Sequence, residues 1–192
     1  MSVIRLPLRK SGSRKVKVDS RKLFLAFRLG QGRYVMAATD IVAVRRFESA
    51  RPVPGAPAWV CGLITHGQRP VPLIDLTARA TGVAARRVTS TRIVMVSYEW
   101  PHATPPAVNM LGVLVEQATE TIHLNTDAFV ASGVHVPTAH YLGPVIDSGE
   151  GFVQWIRVQD LLDEDVRACL MGATAQGSEA VATSDIADSD LP

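Results

Sequence analysis

Hydrophobic residues fall along this chain in short runs cut by glycine, proline and polar pairs, a pattern of strands and turns more than of long helices. LFLAFRL (23–29) alternates, which places Leu23, Leu25, Phe27 and Leu29 on one face of a strand. GQG (30–32) predicts a hairpin turn into RYVMAA (33–38), and DIVAVRRF (40–47) continues as sheet or a short helix. WVCGLI (59–64) and VPLIDL (71–76) are apolar and partly β-branched, separated by THGQR, a turn centred on Gly67. TARATGVAARR (77–87) is the first helical stretch. The cycle then repeats: TRIVMVSY (91–98), MLGVLVEQ (110–117), TETIHL (119–124) and FVQWIRV (152–158) read as strands. QDLLDEDVRACLMG follows as a helix with Leu161, Leu162, Val166 and Leu170 near one face, and Gly172 can end it. Two successive sets of about five short strands predict a mainly β chain of two small barrels, covering residues 23–87 and 88–171.

Five prolines, Pro52, Pro54, Pro57, Pro70 and Pro72, crowd into a region that otherwise reads as sheet. The first three stiffen an extended entry to WVCGLI, where a missing N–H costs nothing. Pro70 and Pro72 lie two apart, so both nitrogens face the same side of the next strand. That side cannot donate to a neighbour, which marks an edge or a bulged strand and a plausible docking surface. Trp59, entering WVCGLI among apolar neighbours, is expected to be largely buried. EWPHATPPAV (99–108) reads as a surface loop.

Composition narrows the class. Hydrophobic residues make up 47% of the 192, ample for a packed interior. No apolar run is long enough to span a bilayer, and VIRLPL is too short and too charged for a signal peptide, so a cytoplasmic protein is expected. Charge is uneven. Residues 1–22 hold all four lysines and four arginines against Asp19, whereas the C-terminal stretch carries Glu179, Asp185, Asp188 and Asp190 with no basic group. Residues 23–171 hold 12 basic and 13 acidic groups and read as nearly neutral. Residues 1–22 and 172–192 are therefore expected to be disordered tails, basic and acidic, unable to bury enough apolar surface to offset chain entropy.

The stretch PVPGAPAWVCGLITHGQRPVPLIDL (52–76) resembles the signature of the CheW-like domain: a P-x-P-x-A-P entry, V-x-G-L-I, a turn, and P-x-I-D-L. The matching residues are Pro52, Pro54, Ala56, Pro57, Val60, Gly62, Leu63, Ile64, Pro72, Ile74, Asp75 and Leu76. LGVLVEQATETIHL is similar to the family's G-x-L-V-D-x-V segment, and YLGPVIDSGEGFVQWIRVQDLL to its Gly-centred final hairpin and helix. RLGQGRYVMAATDIVAV and YLGPV are similar to adaptors of surface-sensing (Wsp-type) pathways. The resemblance covers about residues 23–165. It implies a pair of five-stranded SH3-like barrels sharing a core, with a short C-terminal helix. It also implies a non-enzymatic adaptor linking a methyl-accepting chemoreceptor to a CheA-type histidine kinase at receptor arrays. By the same resemblance Ala43, Val44, Ile64, Thr65, His66, Gly67, Gln68 and Arg69 form the receptor or kinase surface. Gly67 and Ala43 stand where the family usually has an Arg and a Glu that pair. Losing one member of a buried pair costs several kcal/mol, and losing both costs far less, so the double absence reads as one coherent change.

Other chemistry finds little support in the sequence. His135 and His140 lack nearby Cys or carboxylate ligands, and His66, His102 and His123 are scattered, so no metal is expected. Cys61 and Cys169 lie too far apart in sequence for a ligand pattern, and Cys61 reads as a small core residue. LGQGRY lacks the third glycine and following helix of a phosphate-binding loop, so no cofactor is expected. Asp75 reads as a helix cap instead of a general base, and no paired acid–base constellation suggests a small-molecule substrate. The alternative reading is a small-barrel nucleic-acid-binding protein using its basic N-terminal arm. Against it, the body carries no evident basic face and no interleaved Arg–aromatic stripe.

Overall fold

The computed structural model describes residues 20–99, 110–134 and 136–170. Most of both charged tails, the Pro-rich loop, His102, His135 and Gly172 lie outside the described residues. Nine strands are described: β1 (Arg21–Leu29), β2 (Gly32–Ala37), β3 (Ile41–Arg46), β4 (Val60–His66), β5 (Arg69–Asp75), β6 (Arg92–Ser97), β7 (Met110–Asn125), β8 (Leu142–Asp147) and β9 (Phe152–Ile156). Helix α1 (Leu76–Thr81) follows β5, and helix α2 occupies residues 164–170. The basic segment does not end at residue 22: Arg21 and Lys22 belong to β1 and pair with Asn125 and Leu124.

The strands form two five-stranded SH3-like barrels. The first is ordered β7–β1–β2–β9–β8, and the second β3–β6–β7–β5–β4. The chain therefore does not divide at residues 87 and 88. β1 and β2 leave to join β8 and β9, while β3 to β6 form the other barrel. The two sets read from the sequence interleave because β7 serves both barrels. MLGVLVEQ and TETIHL are not separate strands but one 16-residue strand. Its sequence break is a bulge, where Gln117 takes φ 50° and the pairing with β1 shifts register. Such a bulge bends a strand, here as it passes from one barrel to the other.

Burial on both faces explains why alternation is weak. On β1, Leu25, Phe27 and Leu29 enter the core between the barrels, while Phe24 and Ala26 fill the interior of the first. Leu23 departs from the expected stripe and is exposed, because β1 extends beyond that core at its start. On β7, Leu111, Val113 and Val115 face the shared core, and Met110 and Leu114 the interior of the second barrel. β8 is not announced by periodicity, since Gly143 and Pro144 interrupt its apolar run. The predicted terminal helix starts late: residues 158–160 form a 3₁₀ turn, and α2 follows. Leu161, Leu162, Val166 and Leu170 nevertheless cap the shared core as the sequence predicts.

Candidate docking surface

The β4–β5 hairpin is built by a few residues with strict backbone demands. Gly67 and Gln68 form its two-residue turn with φ of 54° and 65°. Both values are left-handed, as the tightest hairpins require. His66 pairs with Arg69 across this turn, then Thr65 with Pro70, Ile64 with Val71 and Leu63 with Pro72. Antiparallel alternation makes the two proline pairs non-hydrogen-bonded, so the proline nitrogens face away from β4. On that side β5 meets β7 only from Leu73 onward, where Leu73 pairs with Gly112. The prolines thus end sheet pairing at the hairpin tip without making β5 an edge strand. Its C-terminal half is an inner strand.

Gly62 fixes the other end. Its φ is 128°, and a Cβ there would lie 2.0 Å from the Arg51 carbonyl oxygen. The close approach lets Arg51 and Leu63 exchange two backbone hydrogen bonds of 2.8 and 2.7 Å, which seat the proline-rich entry on β4. Asp75 is buried and accepts from the amides of Ala78 (2.9 Å) and Ala85 (2.8 Å). It caps α1 as expected and also anchors the following loop. α1 is shorter than predicted because Gly82, at φ 75°, ends it in the left-handed conformation.

The predicted site residues separate into two layers. Ile64 is 3% exposed and packs inside the second barrel, and half-buried Ala43 packs against the same cluster. Ile64 supports the surface from beneath, whereas Ala43 keeps part of its surface open to solvent. Thr65, Gly67, Gln68 and Arg69 are exposed, His66 is half-buried, and nothing lies within 4 Å of a Cβ placed on Gly67. Val44 is 46% exposed on the face of β3 that points toward the shared core. β3 and the hairpin are tied by Arg45, whose Nη1 donates to the Thr65 carbonyl at 3.0 Å. Its Nη2 pairs with Glu48 at 3.0 Å. Arg45 therefore tethers the two strands without the Glu–Arg pair that Ala43 and Gly67 cannot make.

Of two further residues, the sequence reading placed one, Trp59, too deep and missed the other, Arg79. Trp59 is not a core residue but half-buried in the turn before β4, with the Arg79 guanidinium 4.4 Å from its ring centroid. The Arg79 side chain is only 5% exposed; its Nη1 donates to the Leu161 carbonyl (2.5 Å) and its Nη2 to both oxygens of the Asp163 carboxylate (3.1 Å each). It joins the signature region to the C-terminal segment. An isolated Arg in a short helix carries no sequence signal of that role.

Cys61 packs against the second barrel's interior, and burial, helped by the Asp75 charge, pushes its thiol up to about 11. That is the reverse of an activated nucleophile. Among the described residues no cluster of His, Cys, Asp and Glu could hold a metal, and no helix is long and apolar enough to cross a membrane. Charge in the body is uneven along the sequence. Residues 41–96 hold eight arginines against Glu48 and Asp75, whereas residues 110–170 hold nine acids against Arg157 and Arg167. Near-neutrality is an average of two opposite regions.

Residues 23–166 match the CheW-like domain family. The structure is similar to that of the scaffolding protein TtCheW from Thermoanaerobacter tengcongensis, with a TM-score of 0.63 and 20% sequence identity over 76% of this chain and 90% of that one. No curated protein matches the chain.

Proposed function

The chain belongs to the CheW-like domain family, and from that premise we propose that it is a non-enzymatic adaptor coupling a methyl-accepting chemoreceptor to a CheA-type histidine kinase. Its place would be the cytoplasmic face of the membrane, at receptor arrays. The observation that carries the reading is the β4–β5 hairpin, whose tip stands in open space on a rigid base. Thr65, His66, Gly67, Gln68 and Arg69, with Val44 beside them on β3, form the receptor surface in this reading. Half-buried Ala43 borders that surface, and Ile64 holds it from the interior. Docking contacts of this kind draw most of their affinity from a few anchors, so a small change at the tip suffices to test them.

Gly67→Asp is the cleanest probe. Asp tolerates the left-handed region better than most residues, and no neighbouring atom obstructs it. The full chain, tagged, should capture both the receptor and the kinase of its own cell. The variant, with an unchanged circular dichroism spectrum, should bind the receptor at least about tenfold more weakly, a loss typical of disturbing one anchor. Equal receptor binding by the folded variant would remove the hairpin tip from the site. Capture of neither partner by the wild-type chain would overturn the adaptor reading itself.

A further inference from the structure

The flank of the second barrel at the C-terminal end of β3 holds three arginines that nothing nearby neutralises. Strand register sets Arg46 of β3 directly opposite Arg92 of β6. Like charges so placed repel across an antiparallel pair. Arg87, from the loop between α1 and β6, brings a third guanidinium, its Cζ 4.9 Å from the centroid of the Phe47 ring. These residues, with Thr89 and Thr91, line an open cavity of about 480 Å³.

The acids that could balance the cluster are committed elsewhere. Glu48 pairs with Arg45 at 3.0 Å. Glu116 accepts from the Arg86 amide at 2.6 Å and lies 3.7 Å from the Arg86 guanidinium. Among the described residues no carboxylate lies within ion-pairing distance of Arg46, Arg87 or Arg92. Two of the guanidinium groups are nevertheless oriented. Nη1 of Arg92 donates to the carbonyls of Thr89 and Thr91, and Arg87 is held against the face of Phe47. Nε and Nη2 of Arg92 remain without a partner among the described residues, a fork suited to two oxygens of one phosphate.

We propose that this cavity binds a small ligand through a diphosphate or triphosphate group, with Arg46, Arg87 and Arg92 as its cations. Three unneutralised guanidinium charges exceed what a single phosphate dianion balances. The cavity also exceeds one phosphate in volume and has Phe47 and Val88 as an apolar wall. Small-ligand sites combine such walls with a few polar anchors.

Calorimetric titration of the full chain at low ionic strength with pyrophosphate, ATP and inorganic phosphate tests this. Pyrophosphate and ATP should bind at least about tenfold tighter than phosphate, with affinity falling as salt is added. The double variant Arg46→Gln/Arg92→Gln should lose at least about tenfold in affinity, and Arg92→Lys several-fold despite keeping its charge, because the fork is lost. Arg46→Gln relieves a like-charge pair, so its melting temperature should hold or rise, which separates lost binding from lost folding. Absence of binding by the wild type would overturn the proposal. So would equal binding by the double variant, which would place the ligand on other basic residues such as those of 1–22. A short single-stranded oligonucleotide that binds tighter than ATP and is lost in the same double variant would show a nucleic-acid surface instead, and would equally overturn it.

Discussion

The two barrels share a plan and differ in how they use it. Each has five strands including part of β7, and each contains one parallel pair, β2 with β9 and β5 with β7. Each gains one isolated bridge beyond its named strands, Val130 to Val145 in the first and Arg51 to Leu63 in the second. Their interiors diverge. The first is fastened by aromatic rings: Phe24 meets Trp155 edge-on at 4.9 Å, and Phe129 lies 5.4 Å from Trp155. The second is aliphatic and sulfur-containing, with Ile64, Leu73, Ile93, Met95, Met110 and Leu114 and no aromatic among its buried residues. The exposed arginine cluster and the candidate docking hairpin both belong to the second barrel. Similar frames thus carry different surfaces, and the features open to a partner gather on the barrel whose hairpin backbone is most constrained.

Those constraints predict the largest effect. Gly62→Ala would put a Cβ 2.0 Å from the Arg51 carbonyl oxygen, at a φ that side chains rarely adopt. The bridge that seats the entry segment must break, so we expect a loss of more than about 4 kcal/mol, or failure to fold. Gly143, in β8 of the first barrel, would bring its Cβ 2.7 Å from the Trp155 carbonyl oxygen, with no left-handed backbone to add strain. Gly143→Ala should therefore be costly but milder. Urea unfolding of both variants ranks them, and a greater loss at Gly143 would reverse the contrast.

A second pair of variants asks whether the barrels are separate at all. Phe24→Ala opens the first interior and Leu73→Ala the second, each at a fully buried position. Typical losses are about 3–5 kcal/mol for the Phe and about 2–5 kcal/mol for the Leu. Because β7 and the shared core couple the barrels, both should shift one common unfolding transition. Two transitions in calorimetry, each moved by only one variant, would show that the interleaved strands do not unfold together.

This interleaving was the part of the fold least legible in the sequence. Strand positions could be read because apolar runs and turn residues are local signals. Which strands pair is not local: β1 finds β7 across more than 90 residues, as in the pairing of Phe24 with Ile122. The signature was legible because its residues meet backbone demands of their own, as Gly62, Pro72 and Asp75 do. Arg79 and the cluster of Arg46, Arg87 and Arg92 were not, since each acquires meaning only from residues brought near by folding. The Gly67 tip could be placed from turn chemistry, but the burial of Ile64 and the half-exposure of Trp59 depend on neighbours that periodicity does not name.

The smallest expected effect is a pH dependence specific to the second barrel. Burial raises the Cys61 thiol from 9.0 to about 11, the Asp75 charge adds to the rise, and Arg87 opposes it. The unfolded chain therefore releases this proton at lower pH than the folded one. Between those two values the folded state binds more protons, so stability falls as pH increases from about 9 through about 11. Tyr34, Tyr98 and Tyr141 are also raised by burial, but they begin from 10.0 and lie at the first barrel and the shared core. Subtracting a Cys61→Ala variant cancels their contribution. Between pH about 8 and about 11, a rise from 9.0 to about 11 corresponds in full to about 2 kcal/mol. Because Cys61 is only half-buried, solvent screening reduces the expected loss of the wild type relative to that variant to about 1 kcal/mol over this range. In native protein Cys61 should also alkylate slowly at neutral pH, since its thiolate is scarce. A difference that stays flat across this range would mean that Cys61 reaches solvent freely, and that the second barrel's interior is more open than its packing indicates.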